Sequence, residues 1–416
     1  MLCAFCALVI LVSTVFPTAA FAEQPVDAAA AEQTLTRADA AEMQQADATV
    51  TALTESEQYQ EMDTDARKDA ALAQLDTLAA KGLVEKDSIY TDEENGMVSF
   101  RYPCGVLGGI LLTEPEDETL DEENAETETA SNALPLRLPP DLGAEMQKSR
   151  AALLRRTENQ AVEKFGTAVI YYAFDNTINS SRFPYYSYMQ GFWSALGLET
   201  KINIHVTVAD LKKMGNFNVS VLSAHGSYYT YSYGKFLKRT RTEPIMLLTE
   251  ESTFGKDLRY GFDLLAHRVI KVNGMYCVTS DFFRNAYKGG KLSNTIVYSE
   301  TCEFLGVDGS VDNAMADALL SGGAQAVIGY VNNVYTVYSR SMLWDTINHL
   351  IMGQNVGQAL EHAKATYGED DLIWYHAQGG RRPHAAASYA VLYGNSQAAL
   401  NVPESNRSMF SADLAA

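Results

Sequence analysis

The chain has 416 residues, 47% of them hydrophobic, which excludes a disulfide-stapled miniprotein and leaves apolar material for at least one large core. Its net charge of −20 sits in one region: residues 23–142 hold 28 acids against 7 bases, while 143–416 hold 24 acids against 25 bases. No basic face exists to neutralise phosphates, so nucleic acid is excluded as a principal partner.

The first residues, MLCAFCALVILVSTVFPTAAFA, are an apolar run closing on Ala20-Phe21-Ala22, the pattern of a signal-peptide cleavage site, although no Lys or Arg precedes it. Residues 1–22 are therefore expected to direct export to the extracellular space or cell envelope, with no stable membrane insertion once they are removed. Beyond them remain Cys104, Cys277 and Cys302, an odd number, so at least one thiol stays free even if Cys104 and Cys277 pair. From Glu23 to about Ala80 the composition is Ala, Glu, Gln, Asp and Thr with few aromatics, which predicts loose solvated helices or disorder. Residues 83–112 read as a hairpin turning at Thr91–Gly96. The acidic run 114–130 reads as a solvated linker, with a boundary near 115–135 and a linker helix over 136–164. The acidic region 23–135, helical and then hairpin, has two readings: a propeptide or a surface spacer.

From 165 to 400 strands alternate with helices. Strands are expected at 167–174, 201–208, 218–223, 295–299 and 324–329, and helices at 185–196, 209–214, 313–320, 339–352 and 356–366. The fold class is thus α/β, a mostly parallel sheet with helices on both faces, and ligands bind beyond the strands' carboxyl ends in such sheets. The long stretch between the third and fourth of these strands holds further strand patterns at 245–250 and 276–279, read as extra hairpins or a lid. Residues 401–416 read as a tail.

Two of those strand ends carry chemistry. His225 follows the third strand and Cys302 the fourth; if the strands are neighbours, 77 intervening positions collapse into one rim. A cysteine attacks as thiolate, and an imidazole titrates in the range needed to take its proton. Gly226 offers a backbone N–H that no side chain obstructs, and the Cys302 N–H is a second donor for a developing oxyanion. Glu303 and Asp308, just past the cysteine, and Tyr228, in the tyrosine-rich tract 228–233, are candidates for contacting substrate. His205, His349 and His362 stand at no metal-ligand spacing, so no metal site is expected.

Strand–His225–Gly226, then strand–Thr301–Cys302–Glu303, followed by the segments Ala316–Gly329 and Gly353–Lys364, resembles the caspase-like (clan CD) cysteine peptidases, in the neighbourhood of clostripain, gingipains and CHAT-domain peptidases. The resemblance covers roughly residues 165–400. It implies a caspase-haemoglobinase-like fold and a secreted endopeptidase with a His225–Cys302 dyad, acting on a peptide or protein and selecting the residue before the cut, commonly Arg, Lys or Asp. It implies no cofactor, leaves calcium binding open, and fits production as a zymogen. An alternative is a catalytically silent caspase-like binding module outside the cell. Glu300 and Glu303 flank the thiol, and negative charge beside a thiol raises its pKa.

Overall fold

A computed structural model describes residues 34–113, 162–174, 184–234, 238–371 and 387–410; the expected leader, the acidic run and most of the linker helix lie outside them. Three helices come first, α1 (Arg37–Thr54), α2 (Glu57–Gln60) and α3 (Thr64–Ala80), then strands β1 (Tyr90–Asp92), β2 (Met97–Arg101) and β3 (Leu107–Leu111). The α/β part begins with β4 (Gly166–Ala173), α4 (Pro184–Ala195), β5 (Leu198–Asn203), α5 (Val208–Leu211) and β6 (Val219–Ala224). Next come β7 (Gly226–Tyr233), β8 (Arg239–Glu251), α6 (Phe254–Leu265), β9 (Val269–Val272), β10 (Met275–Thr279) and α7 (Ser280–Ala286). The chain then runs through β11 (Ile296–Ser299), β12 (Gly306–Val307), β13 (Ser310–Val311), α8 (Ala314–Ser321) and β14 (Ala326–Val331). It closes with α9 (Thr336–Ile351), α10 (Val356–Tyr367), β15 (Asp370–Asp371), β16 (Ser388–Gly394) and α11 (Glu404–Phe410).

Two seven-stranded sheets organise these elements. In the first, of order β15-β16-β14-β11-β6-β4-β5, the strands from β14 to β5 run parallel and β16 is antiparallel to β14. Strands buried on both faces read as unbroken apolar runs, and β6 and β14 are buried at every position. Alternate residues face opposite ways: Ala168, Ile170, Val221 and Tyr298 meet Trp193 of α4, Met342 and Ile347 of α9 and Leu360 of α10. Val169, Tyr171, Leu222 and Val297 meet a second core with Leu211 of α5, Phe283 of α7 and Leu319 of α8. Helices therefore cover both faces. Strand ends differ from the expected ones by at most two residues, except in β5, which starts three residues earlier and ends at Asn203, before the Thr207–Asp210 capping box that starts α5.

The second sheet, of order β1-β2-β3-β9-β10-β8-β7, is antiparallel except for the parallel pair β3–β9. The segment between His225 and Cys302 and the N-terminal hairpin thus form one sheet. The helices before the hairpin are docked, not loose: α1 buries Ala40, Met43, Ala46 and Val50, and α3 buries Ala71, Leu75 and Leu78, all in the core shared by the two sheets. Their apolar residues are too sparse to hold a core alone and gain burial from a surface made much later in the chain.

A buried charge cluster fastens this contact. Lys271 on β9, 1% exposed, pairs with Asp47 of α1 and at 2.9 Å with Asp257 of α6. Tyr276 donates to Asp257 at 2.8 Å, Tyr102 donates to Asp47, and Ser252 donates to Asp47 at 3.0 Å. Each buried carboxylate is compensated, which removal from water requires. Cys104, Cys277 and Cys302 form no disulfide among the described residues, and Cys277 lies in the core. Among the described residues no helix is long and apolar enough to cross a membrane.

Candidate active site

β6 and β11 are parallel neighbours in a register that pairs Val219 with Ile296 and Leu222 with Ser299, a constant offset of 77 (296 − 219). His225 and Cys302 are separated by the same 77 positions (302 − 225), so both continue the paired strands to one rim. The Glu300 N–H donates to Leu222 O at 2.8 Å, carrying the ladder a residue past β11. Beyond it the two segments come into van der Waals contact at Gly226. A Cβ built there would lie 2.1 Å from the Cys302 carbonyl oxygen and 2.5 Å from Thr301 Cγ2. Glycine is required because two backbones approach with no space for a methyl group.

His225 stands where the chain leaves the parallel sheet for the second one, between the end of β6 and the start of β7. Leu247 N–H donates to its carbonyl at 2.9 Å and fixes the corner. That bond makes Gly226–Met246 a non-hydrogen-bonded pair, and β7 is an edge strand, so the Gly226 N–H points away from β8 and out of the sheet. Phe174, just past β4, packs edge-on against the His225 ring with centroids 4.8 Å apart. The half-buried Cys302 sulfur receives the Val334 N–H at 3.5 Å and lies 3.7 Å from the Val334 carbonyl. Phe174, His225, Cys302 and Val334 follow β4, β6, β11 and β14, all at the carboxyl edge where such sheets build sites.

The two flanking acids are both buried, and they differ. The Glu300 carboxylate accepts from Tyr186 at 3.1 Å, from Ser339 at 3.3 Å and from Ser223, hydroxyls from α4, α9 and β6. These donors hold it in the interior and disperse its charge. Glu303 has a left-handed backbone (φ 55°), and its N–H donates to Asn332 O at 2.9 Å. A non-glycine residue in that region is uncommon and is held by its surroundings.

Asn332, 1% exposed and itself at φ 68°, is the centre of those surroundings. Its Oδ1 accepts from Gly309 N–H at 2.9 Å and its Nδ2 donates to Ala387 O at 2.9 Å. Its own N–H donates to Gly306 O at 2.9 Å. The next segment is pinned by Asp371, whose carboxylate accepts the Tyr335 N–H at 2.6 Å.

Of the residues expected to contact substrate, Tyr228 is buried and donates to Asp312 Oδ2 at 3.1 Å. Burial first, and then the Asp312 and Glu303 charges, push its phenol well above the usual range. Tyr228, Glu303 and Asp312 are thereby drawn together. Asp308 lies at the exposed tip of the β12–β13 hairpin, where Asp308 (φ 53°) and Gly309 (φ 70°) form a two-residue turn with both central residues left-handed. Phe174, Val334 and Asn332 carried no site signal in sequence beyond their position after strands. His376 and His384 lie outside the described residues.

Comparison of the chain with protein-family models and with curated proteins gives no match. What this rim can do chemically follows from its own residues.

Proposed function

We propose that the chain is an exported, caspase-like cysteine endopeptidase in which Cys302 is the nucleophile and His225 the general base and then the general acid. The observation that carries this reading is the shared 77-residue offset, with Gly226 pressed against the Cys302 carbonyl: the segments carrying His225, Gly226 and Cys302 leave the parallel sheet side by side at one edge.

The chemistry follows in order. His225 takes the thiol proton, and the thiolate attacks the scissile carbonyl carbon. Negative charge develops on the carbonyl oxygen, where the Gly226 N–H, with the Cys302 N–H, would stabilise it. Collapse of the tetrahedral species breaks the C–N bond, and His225 returns the proton to the departing amine. Water, deprotonated by His225, then cleaves the thioester. Glu303, Asp308 and Asp312 lie in the stretch immediately following the nucleophile, an acidic surrounding that favours Arg or Lys before the cut.

The second reading, a silent binding module of the same fold, draws on the buried Glu300 and Glu303 beside the thiol, since unrelieved negative charge there would keep sulfur protonated. A panel of peptidyl ketone electrophiles carrying Arg, Lys or Asp at the first position separates the two. Peptide mapping is expected to place the label on Cys302, ahead of Cys104 and Cys277, most rapidly with Arg or Lys, and His225→Ala is expected to abolish it. A Cys302 that stays unmodified, or reacts equally without His225, sinks the peptidase reading.

A further inference from the structure

On the face of the parallel sheet formed by α4, α9 and α10, three side chains with no part in the thiol chemistry converge. Asp345 and His349 are one turn apart on α9, and His362 reaches them from α10. The four-residue connection between the helices folds them into a hairpin whose seam, with Ile347, Leu350, Ala359 and Ala363, is buried. The three donor atoms all lie within 4.8 Å of one another. Both imidazole Nδ1 atoms approach Asp345 Oδ2, His362 at 2.7 Å and His349 at 3.5 Å, while the His349 Nδ1–H donates to the Asp345 backbone carbonyl at 2.9 Å. The two rings face each other at a tilt of 33°, with centroids 3.7 Å apart.

Three ligands around a tetrahedral zinc ion, with bonds of about 2.0–2.1 Å, stand about 3.3 Å from one another. The two nitrogen–oxygen separations, 2.7 and 3.5 Å, bracket that spacing. Small shifts would therefore let an ion take the place of the hydrogen between His362 and Asp345, with His349 Nδ1 giving up its bond to the Asp345 carbonyl. The donor set selects among metals. Two imidazoles with one carboxylate suit zinc and its first-row neighbours, whereas calcium and magnesium require oxygen ligands. The His362 side chain is 48% exposed, against 6% for His349 and 14% for Asp345, so an ion has an entry path and a fourth position open to water.

We propose that Asp345, His349 and His362 form a zinc(II) site that clamps α9 to α10, independent of the thiol chemistry. Binding takes each imidazole as its neutral Nε2–H tautomer, so that Nδ1 is the donor, any proton of an imidazolium passes to solvent, and three protein donors hold the ion.

The full-length protein, stripped with a chelator, is titrated with zinc chloride against a chromophoric zinc indicator, with thermal melts run in parallel. One zinc per chain is expected, and the melting temperature rises with zinc concentration because the ion binds the folded state. His362→Ala and Asp345→Asn each weaken binding by more than about tenfold and abolish the zinc-dependent rise in melting temperature. His362 is half exposed, so the zinc-free melting temperature of His362→Ala checks that this variant is folded, and His362→Gln repeats the test without opening a cavity. Cobalt(II) in place of zinc gives a visible ligand-field band that these variants lose. Failure of the wild type to bind zinc overturns the proposal, as does binding unchanged in His362→Ala. So does binding lost in Cys302→Ala, which would put the ion on the thiol, and so does displacement of zinc by equimolar calcium.

Discussion

An alanine at position 226 would carry its methyl group to 2.1 Å from the Cys302 carbonyl oxygen, and that oxygen belongs to backbone that cannot swing aside. Gly226→Ala is expected to lower turnover of a fluorogenic peptide by about 10²-fold or more, because it displaces both the amide donor and the nucleophile. Ser227→Ala, one residue on, is expected to leave turnover within about twofold. A second residue reports on pH. Burial lifts the Glu243 carboxyl from 4.5 to about 7, although Arg241 lies 3.2 Å away and pulls the other way. The folded state therefore binds this proton more tightly than the unfolded chain, so its contribution is full below about pH 4.5 and is lost as pH rises through about 7. The wild type should lose up to about 3 kcal/mol across that window relative to Glu243→Gln. Denaturant midpoints of the two proteins compared from pH 4 to 8 check it; parallel curves would refute the assignment. His225 and Cys302 were legible because each follows an apolar run that ends abruptly in polar residues. Glu243 was not, because nothing in its own neighbourhood shows that it will be covered.

The connections beyond β11 and β14 brace each other through one side chain. Asn332 holds the β12–β13 turn with Oδ1 and the segment before β16 with Nδ2, and its carbonyl fixes Glu303, next to the nucleophile. Asn332→Ala removes both side-chain bonds and leaves a non-glycine residue at φ 68°, a conformation asparagine tolerates better than alanine. The variant is expected to lose about 2 kcal/mol in denaturant unfolding. It should also react with the Cys302-directed electrophile several-fold more slowly; full reactivity would show that Glu303 and Cys302 are held without it. At this scale the parallel strands and their helices were readable from continuous or periodic apolar residues. The second sheet was read only in fragments, the 83–112 hairpin and the patterns at 245–250 and 276–279, because strand pairing across such distances leaves no local trace. The same blindness hid the His349–His362 contact. Thirteen positions and a helix reversal separate the two imidazoles, and only the packing of α9 on α10 makes them neighbours.

At the scale of the whole molecule, the N-terminal helices and the two sheets share a core, with Lys271, Asp47 and Asp257 at their junction. Lys271→Ala strands two buried carboxylates without their cation and is expected to cost about 3–5 kcal/mol. A single cooperative unfolding transition at lower denaturant, seen alike by tyrosine fluorescence and circular dichroism, would show that the N-terminal region and the sheets melt together. Separate transitions would show the N-terminal region to be an independent unit. Composition located the acidity of this region, but acid-rich sequence says little about docking when the surface that receives it is encoded elsewhere.

β3 pairs with β9 through Gly109 and Val272, 163 positions apart (272 − 109). A ribosome therefore delivers the first hairpin long before the strand that completes its sheet. Until Val272 has emerged, Leu107 and Ile110 have no lasting shelter, and the nascent chain is exposed to mispairing or needs a chaperone's hold. Assembly is thus gated by translation of the middle of the chain, however early its beginning is made.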